Sequence, residues 1–236
     1  LPGMHRWHIE SVGGQASSFT AEDTTSFINT IPSSYLSETL RLEAERMRSL
    51  LFVDDSLASA KETVQSAIEA SEKDPIARAL SGFLKAAYPT HPYRNTVNGN
   101  KDEVAALSGS DLQSFYNTYY QPNNALLVVT GGVSEAQVRD AVKKYFDGIP
   151  KGGATPRGQV KDSPTTPKVV DLPATEVGLL FLGYRIPEAK ADDIYALQLL
   201  SALIGIGPHG RLQRKFVATR RAVRVASEAS LREGPG

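Results

Sequence analysis

Gln15-Ala-Ser-Ser-Phe-Thr-Ala-Glu-Asp-Thr-Thr-Ser-Phe-Ile-Asn-Thr-Ile31 decides the fold class. The stretch is rich in Ser, Thr and Phe, and Ala21-Glu22-Asp23 interrupts it with turn-forming residues, so it reads as two strands joined by a turn. Upstream, residues 3 to 11 have helical character, and Gly13-Gly14 stops that helix before the first strand. Downstream, from Ser33, the residues Leu36, Leu40, Ala44, Met47 and Leu51 mark one face of a long amphipathic helix. Arg41, Glu45 and Arg48 fall on its other faces.

Asp54-Asp55 offers a cap for a second helix running to about Ser71, and Asp74-Pro75 starts a third that reaches about Ala87. Beyond a loop containing His91-Pro92-Tyr93, a helix covers Asp111 to Tyr120, and Ala125-Leu-Leu-Val-Val-Thr130 reads as a buried apolar strand. Ser134 and Gln137 form a capping box before Val138, Ala141, Val142, Tyr145 and Phe146, a helical stripe that ends at Gly148. Pro150, Pro156, Pro164 and Pro167 punctuate a stretch without apolar periodicity, which reads as a linker over 150–168. Strands are expected near 168–171 and 176–184, helices over 192–204 and 209–219, and a strand around 223–230. The expected architecture is α+β: a first module over 1–149 and the start of a second over 169–236. In each, helices pack on one face of a mostly antiparallel sheet.

Composition narrows the function classes. Lys+Arg 26 against Asp+Glu 26 leaves no net charge, so nothing steers the chain toward nucleic acid or an anionic membrane surface. Cys is absent, which excludes disulfides, thiolate metal sites and cysteine nucleophiles. The longest apolar stretches fall far short of the roughly 20 residues of a membrane-spanning helix, so membrane insertion is not expected and the chain reads as soluble. The compartment stays open among bacterial periplasm, cytoplasm and mitochondrial matrix. With neither an initiator Met nor a signal peptide at Leu1, and no closing element at Gly236, both ends read as cut.

No complete catalytic site can be assembled from the residues present. His5 and His8 stand three positions apart on the first helix, but Glu10 lies about 200° from His8 around that helix and cannot join them. Both rings read as polar groups exposed by the helix. His91 sits in a Pro-flanked turn and His209 follows Pro208, positions suited to capping or packing. Ser17-Ser18 and Ser33-Ser34 lie in no Gly-x-Ser-x-Gly elbow or Ser-x-x-Lys pattern. In Gly205-Ile-Gly-Pro-His-Gly210, Pro208 removes a backbone donor and no Lys-Ser or Lys-Thr follows, so it reads as a turn between helices rather than a phosphate loop.

Several segments, in this order, resemble the insulinase/pitrilysin family of zinc metallopeptidases, including the mitochondrial processing peptidase type. They are Ile9-Glu-Ser-Val-Gly-Gly-Gln-Ala16 with Phe19-Thr20 and Asp23-Thr-Thr25; Leu42-Glu-Ala-Glu-Arg-Met-Arg48; Tyr88-Pro-Thr-His-Pro-Tyr93; and Phe115-Tyr116 through Tyr120-Gln-Pro-Asn-Asn-Ala125 to Val128-Val-Thr-Gly131. Gly183-Tyr-Arg-Ile-Pro187 and Gly210-Arg-Leu212 look like the start of the family's second module.

The resemblance implies zinc chemistry, with an inverted His-x-x-Glu-His helix supplying two ligands and the base, and a Glu on a later helix completing the site. The inverted motif is expected upstream of Leu1. The third-ligand position falls on Ala67 or Ser66, neither of which binds zinc with any strength, and its supporting acidic position falls on Ala60 or Ser59. Glu62 and Glu69 repeat the seven-residue spacing, but Glu69 lies about 200° around the helix from Ala67. The substrate strand carries Ser17, Ser18 and Phe19, with the serines where relatives often have Asn-Ala, and backbone pairing with an extended peptide survives that change. An Arg and Tyr pair of the second module is replaced by Val217 and Arg224.

The first expectation is therefore a non-catalytic or degenerate member that binds no cofactor itself. It would hold a peptide or unfolded polypeptide, or pair as a hetero- or homodimer with a zinc-bearing homologous subunit. The rivals are an active zinc metallopeptidase using Glu62 or Glu69, and a structural scaffold subunit.

Overall fold

The structure, a computed structural model, describes residues 3–156, 169–171 and 178–234. The chain divides into two compact units, one of residues 1–21 and 25–179 and the other of residues 22–24 and 180–236.

The first unit opens with α1 (Met4–Ser11), which Gly13 ends with a left-handed φ of 78°. At Gly14 the chain passes so close to its surroundings that a Cβ would stand 2.7 Å from the Thr30 carbonyl oxygen and 2.8 Å from that of Ile9. Only glycine admits this crossing of α1 and the hairpin. The expected hairpin follows, β1 (Gln15–Thr20) and β2 (Thr25–Thr30), antiparallel with Ser17 opposite Ile28, Ser18 opposite Phe27 and Phe19 opposite Ser26.

A 3-10 turn at Ser33–Tyr35 leads into α2 (Leu36–Arg48), whose Leu40, Leu42 and Ala44 are buried. Next come α3 (Asp54–Lys73), α4 (Pro75–Ala87), α5 (Lys101–Ala106), α6 (Gly109–Tyr119) and α7 (Glu135–Phe146). Asp74 caps α4 by accepting from the Ile76 amide at 2.8 Å, with Pro75 in the first turn where its missing N–H costs nothing. Both halves of the Ser134–Gln137 capping box are formed. α2 packs on α7, where the Ser37 and Tyr145 hydroxyls stand 3.1 Å apart, and α3 packs on α4 and α5. Leu84, Tyr88 and Tyr93 form a buried cluster, and the His91 Nδ1 accepts from the Tyr93 amide at 3.2 Å, so His91 is a packed, capping residue.

Several expectations are corrected. Asp54 and Asp55 lie in the first turn of α3, after an extended Val53, where they favour the helix dipole without capping it. The apolar run Ala125–Thr130 forms no ladder; Leu126 is 89 % and Val128 69 % exposed. Apolar content marks a segment that favours burial, but a strand exists only beside a backbone that pairs with it. Residues 169–171, 178–184 and 223–230 likewise form no ladder, so β1 and β2 make the only sheet among the described residues. The rest of the strand expected near 176–184 and most of the 150–168 linker lie outside those residues. Within the described part of that segment, Asn123 donates to the Gly153 carbonyl and accepts from the Gly152 amide. The fold is α+β with helices predominating.

In the second unit, α8 (Ile194–Gly205) has the extended segment 225–227 beside its end. The Ser201 and Ser227 hydroxyls are 2.9 Å apart, and a Cβ on Gly205 would meet Ser227 Cβ at 2.5 Å. The helix expected over 209–219 is shortened to 211–217, widening to a π-helix at Gln213–Val217. Arg232 donates to Glu22 at 2.7 Å, and the Glu233 amide donates to Asp23 at 2.8 Å.

Candidate functional site

β1 is paired on one side only, with β2, so among the described residues its other edge presents free backbone donors and acceptors. Side chains directly opposite in an antiparallel pair share a face. The register therefore puts Ala16 and Ser18 with Asn29 and Phe27 on one face, and Ser17 and Phe19 with Ile28 and Ser26 on the other. Phe19 is exposed, as are Ser17 and Ser18.

On the Phe27 face a cleft of about 740 Å³ opens among α1, β2, α2 and α6, lined by Met4, Leu50, Phe52, Phe115 and Tyr120 as well as Phe27. The Arg46 guanidinium lies 4.1 Å from the centre of the Phe27 ring. Behind it stands a polar cluster from three elements. Glu43 Oε1 accepts from Asn29 Nδ2 at 2.6 Å, from His5 Nε2 at 2.9 Å and from Arg46 Nη2 at 3.2 Å. Arg46 Nη2 is also 2.7 Å from His5 Nε2 and 3.0 Å from His5 Nδ1. The imidazole edge, the guanidinium and the carboxylate therefore meet around His5 Nε2. Burial pushes the Glu43 carboxyl up, but the His5 hydrogen bond, the Arg46 charge and the Asn29 amide outweigh it, and the group sits below the ordinary carboxylate range.

This corrects the reading of His5 as an exposed polar ring: its side chain is only 26 % exposed and tied to α2. Glu43 and Arg46 were not singled out as chemistry. Their three-residue spacing inside Leu42–Arg48 was the available signal, whereas Asn29 and His5 come to them from far along the chain.

On α3, Ser66 and Ala67 are exposed, as are Ser59, Ala60 and Glu62. Glu69 accepts a short hydrogen bond from Lys101 of α5, and this bond, with the Lys101 charge, holds its carboxyl below the usual range. Among the described residues no three His, Cys, Asp or Glu side chains stand where they could hold a metal ion. Neither the methyl of Ala67 nor the hydroxyl of Ser66 is an imidazole, thiolate or carboxylate of the kind that holds zinc, so these two residues do not fit the metal. Among the described residues no helix is long and apolar enough to cross a membrane.

Residues 6–101 match the family described as insulinase (peptidase family M16), and residues 106–225 match the peptidase M16 inactive domain. A zinc protease PqqE of Helicobacter pylori is 30% identical over 227 residues, covering 94% of this chain and 50% of that protein. A probable inactive metalloprotease YmfF of Bacillus subtilis is 28% identical over 183 residues, covering 77% and 42%. The crystal structure of a protease from Helicobacter pylori superposes with a TM-score of 0.86 at 27% identity, covering 99% of this chain and 58% of that one. The chain thus spans about half the length of the curated relatives it matches. Zinc is the metal in the name of the PqqE relative, while the matched second region bears the description of an inactive domain. The chain belongs to the insulinase (M16) peptidase family.

Proposed function

We propose that this chain is a non-catalytic member of the family that holds an extended peptide against β1 and works beside a homologous, zinc-bearing subunit. What supports the reading is on α3: Ser66 and Ala67, where the resemblance puts the family's third zinc ligand, carry no carboxylate, and Glu69 is engaged by Lys101. The relative named as a probable inactive metalloprotease supports it. The free edge of β1, with Ser17, Ser18 and Phe19, supplies the peptide-holding surface, since strand addition draws on main-chain groups and leaves side chains to select. On this reading 1–149 and 169–236 are the two modules and 150–168 joins them.

Metal analysis of the full-length protein purified alone tests the reading, with no stoichiometric zinc expected. One zinc per chain overturns it. Binding of an extended peptide separates this role from that of a pure scaffold. The relative named as a zinc protease favours a second reading, an active metallopeptidase with Glu69 or Glu62 recruited. That reading requires a chelator-sensitive activity that Glu69→Ala abolishes.

A further inference from the structure

We propose that Glu43 is the positioning residue of the peptide-holding strand, fixing where the β1–β2 hairpin stands against α1 and α2. The inference rests on reading β1 as the edge that holds peptide. A two-stranded ribbon is marginally stable alone, so the place of its free edge has to be set by contacts from outside it. Two such contacts lie on one face of β2, two residues apart. Asn29 donates to Glu43 at 2.6 Å, and Phe27 lies beneath the Arg46 guanidinium at 4.1 Å. Opposite them on β1 stand Ala16 and Ser18, the residues at the free edge.

Both contacts converge on the same carboxylate, because Arg46 is itself held by Glu43 at 3.2 Å. From α1, His5 completes the set at 2.9 Å. The groups facing Glu43 are therefore His5 from α1, Arg46 from its own helix α2, and Asn29 from β2. With a side chain only 18 % exposed, Glu43 has little water to replace a lost partner. A shift of β2 by one residue would trade Asn29 for Ile28 or Thr30, turn the β2 side chains to the opposite face and change the residues of β1 they stand across from. Glu43 thus selects both the position and the register of the edge.

The test uses the full chain, amide hydrogen exchange over residues 15–20, and the affinity for a fluorescein-labelled alternating Ser-Val peptide. Asn29→Asp sets a carboxylate against Glu43 with no change of volume. The double variant Asn29→Asp with Glu43→Gln restores a donor–acceptor pair with the roles reversed. The expected result is exchange over 15–20 faster by about tenfold in Asn29→Asp, the scale of one or two net hydrogen bonds. Affinity for the peptide should fall by a similar factor, and the double variant should recover both. Unchanged exchange over 15–20 in Asn29→Asp, even with a lowered melting midpoint, overturns the proposal, as does a double variant no better than the single. If the unaltered chain binds no peptide, the peptide-holding reading fails, and the exchange comparison still decides the role of Glu43.

Discussion

The Tyr116 hydroxyl donates a 2.5 Å hydrogen bond to the Arg46 carbonyl oxygen and accepts one from the Leu50 amide at 3.4 Å. A phenol buried in α6 thus closes the C-terminal end of α2, at a residue of the polar cluster itself, where the helix's last carbonyls have no partner of their own. Replacing Tyr116 by Phe keeps the ring packing and orphans the carbonyl. The expected loss is about 1 kcal/mol in urea denaturation. No change in midpoint would mean that water replaces the hydroxyl.

Gly14→Ala places a methyl against two backbone oxygens that cannot swing aside. A cost of about 1–3 kcal/mol is expected from overpacking at a site fixed by α1 and the hairpin together. Thermal melts of the two proteins check it, and an equal midpoint would contradict the close approach.

Ser134→Ala removes the hydroxyl that accepts from the Gln137 amide at 3.3 Å, and the reciprocal Gln137 contact loses its partner's geometry. About 1 kcal/mol should be lost. Hydrogen exchange should rise first in residues 135–138, at the start of α7.

The acid limb of the stability curve carries the signature of Glu43. Its carboxyl in the folded chain sits below the ordinary range, so the unfolded chain binds the proton more readily. The stabilisation is complete above the ordinary carboxylate range and is lost as pH falls through the lower folded value. Urea midpoints measured from neutral pH downward should fall less steeply in Glu43→Gln than in the unaltered chain. Identical slopes would show that the cluster makes no net contribution to proton linkage.

Glu69→Ala should leave the melting midpoint nearly unmoved, because its pair with Lys101 is exposed and screened by solvent. A large loss would mean that α5 depends on this contact to stay on α3.

Local chemistry made the hairpin, the α4 cap and the α7 capping box legible in the sequence. Each is decided by a few neighbouring residues: Ala21–Asp23, Asp74-Pro75, and Ser134 with Gln137. The run Ala125–Thr130 shows the opposite case, since its apolar residues say nothing of which backbone pairs with it. α5 was missed because six residues hold too little periodicity to stand out; its Asn100 cap, accepting from the Glu103 amide at 2.9 Å, was the remaining trace. The cluster around Glu43 was illegible for a different reason. His5 and Asn29 reach it across 38 and 14 positions, and no spacing rule encodes a tertiary meeting.

The edge of β1 left free among the described residues has a consequence for the protein in concentrated solution. Its residues, Gln-Ala-Ser-Ser-Phe-Thr, include no Lys, Glu or Pro, the groups by which exposed strands usually repel one another. An edge able to accept a foreign strand is equally able to accept the same strand of a second molecule. On the peptide-holding reading, self-association and ligand capture compete for one row of amides. Titrations at rising protein concentration should report progressively weaker peptide binding, and a lysine placed outward on β1 should relieve the competition.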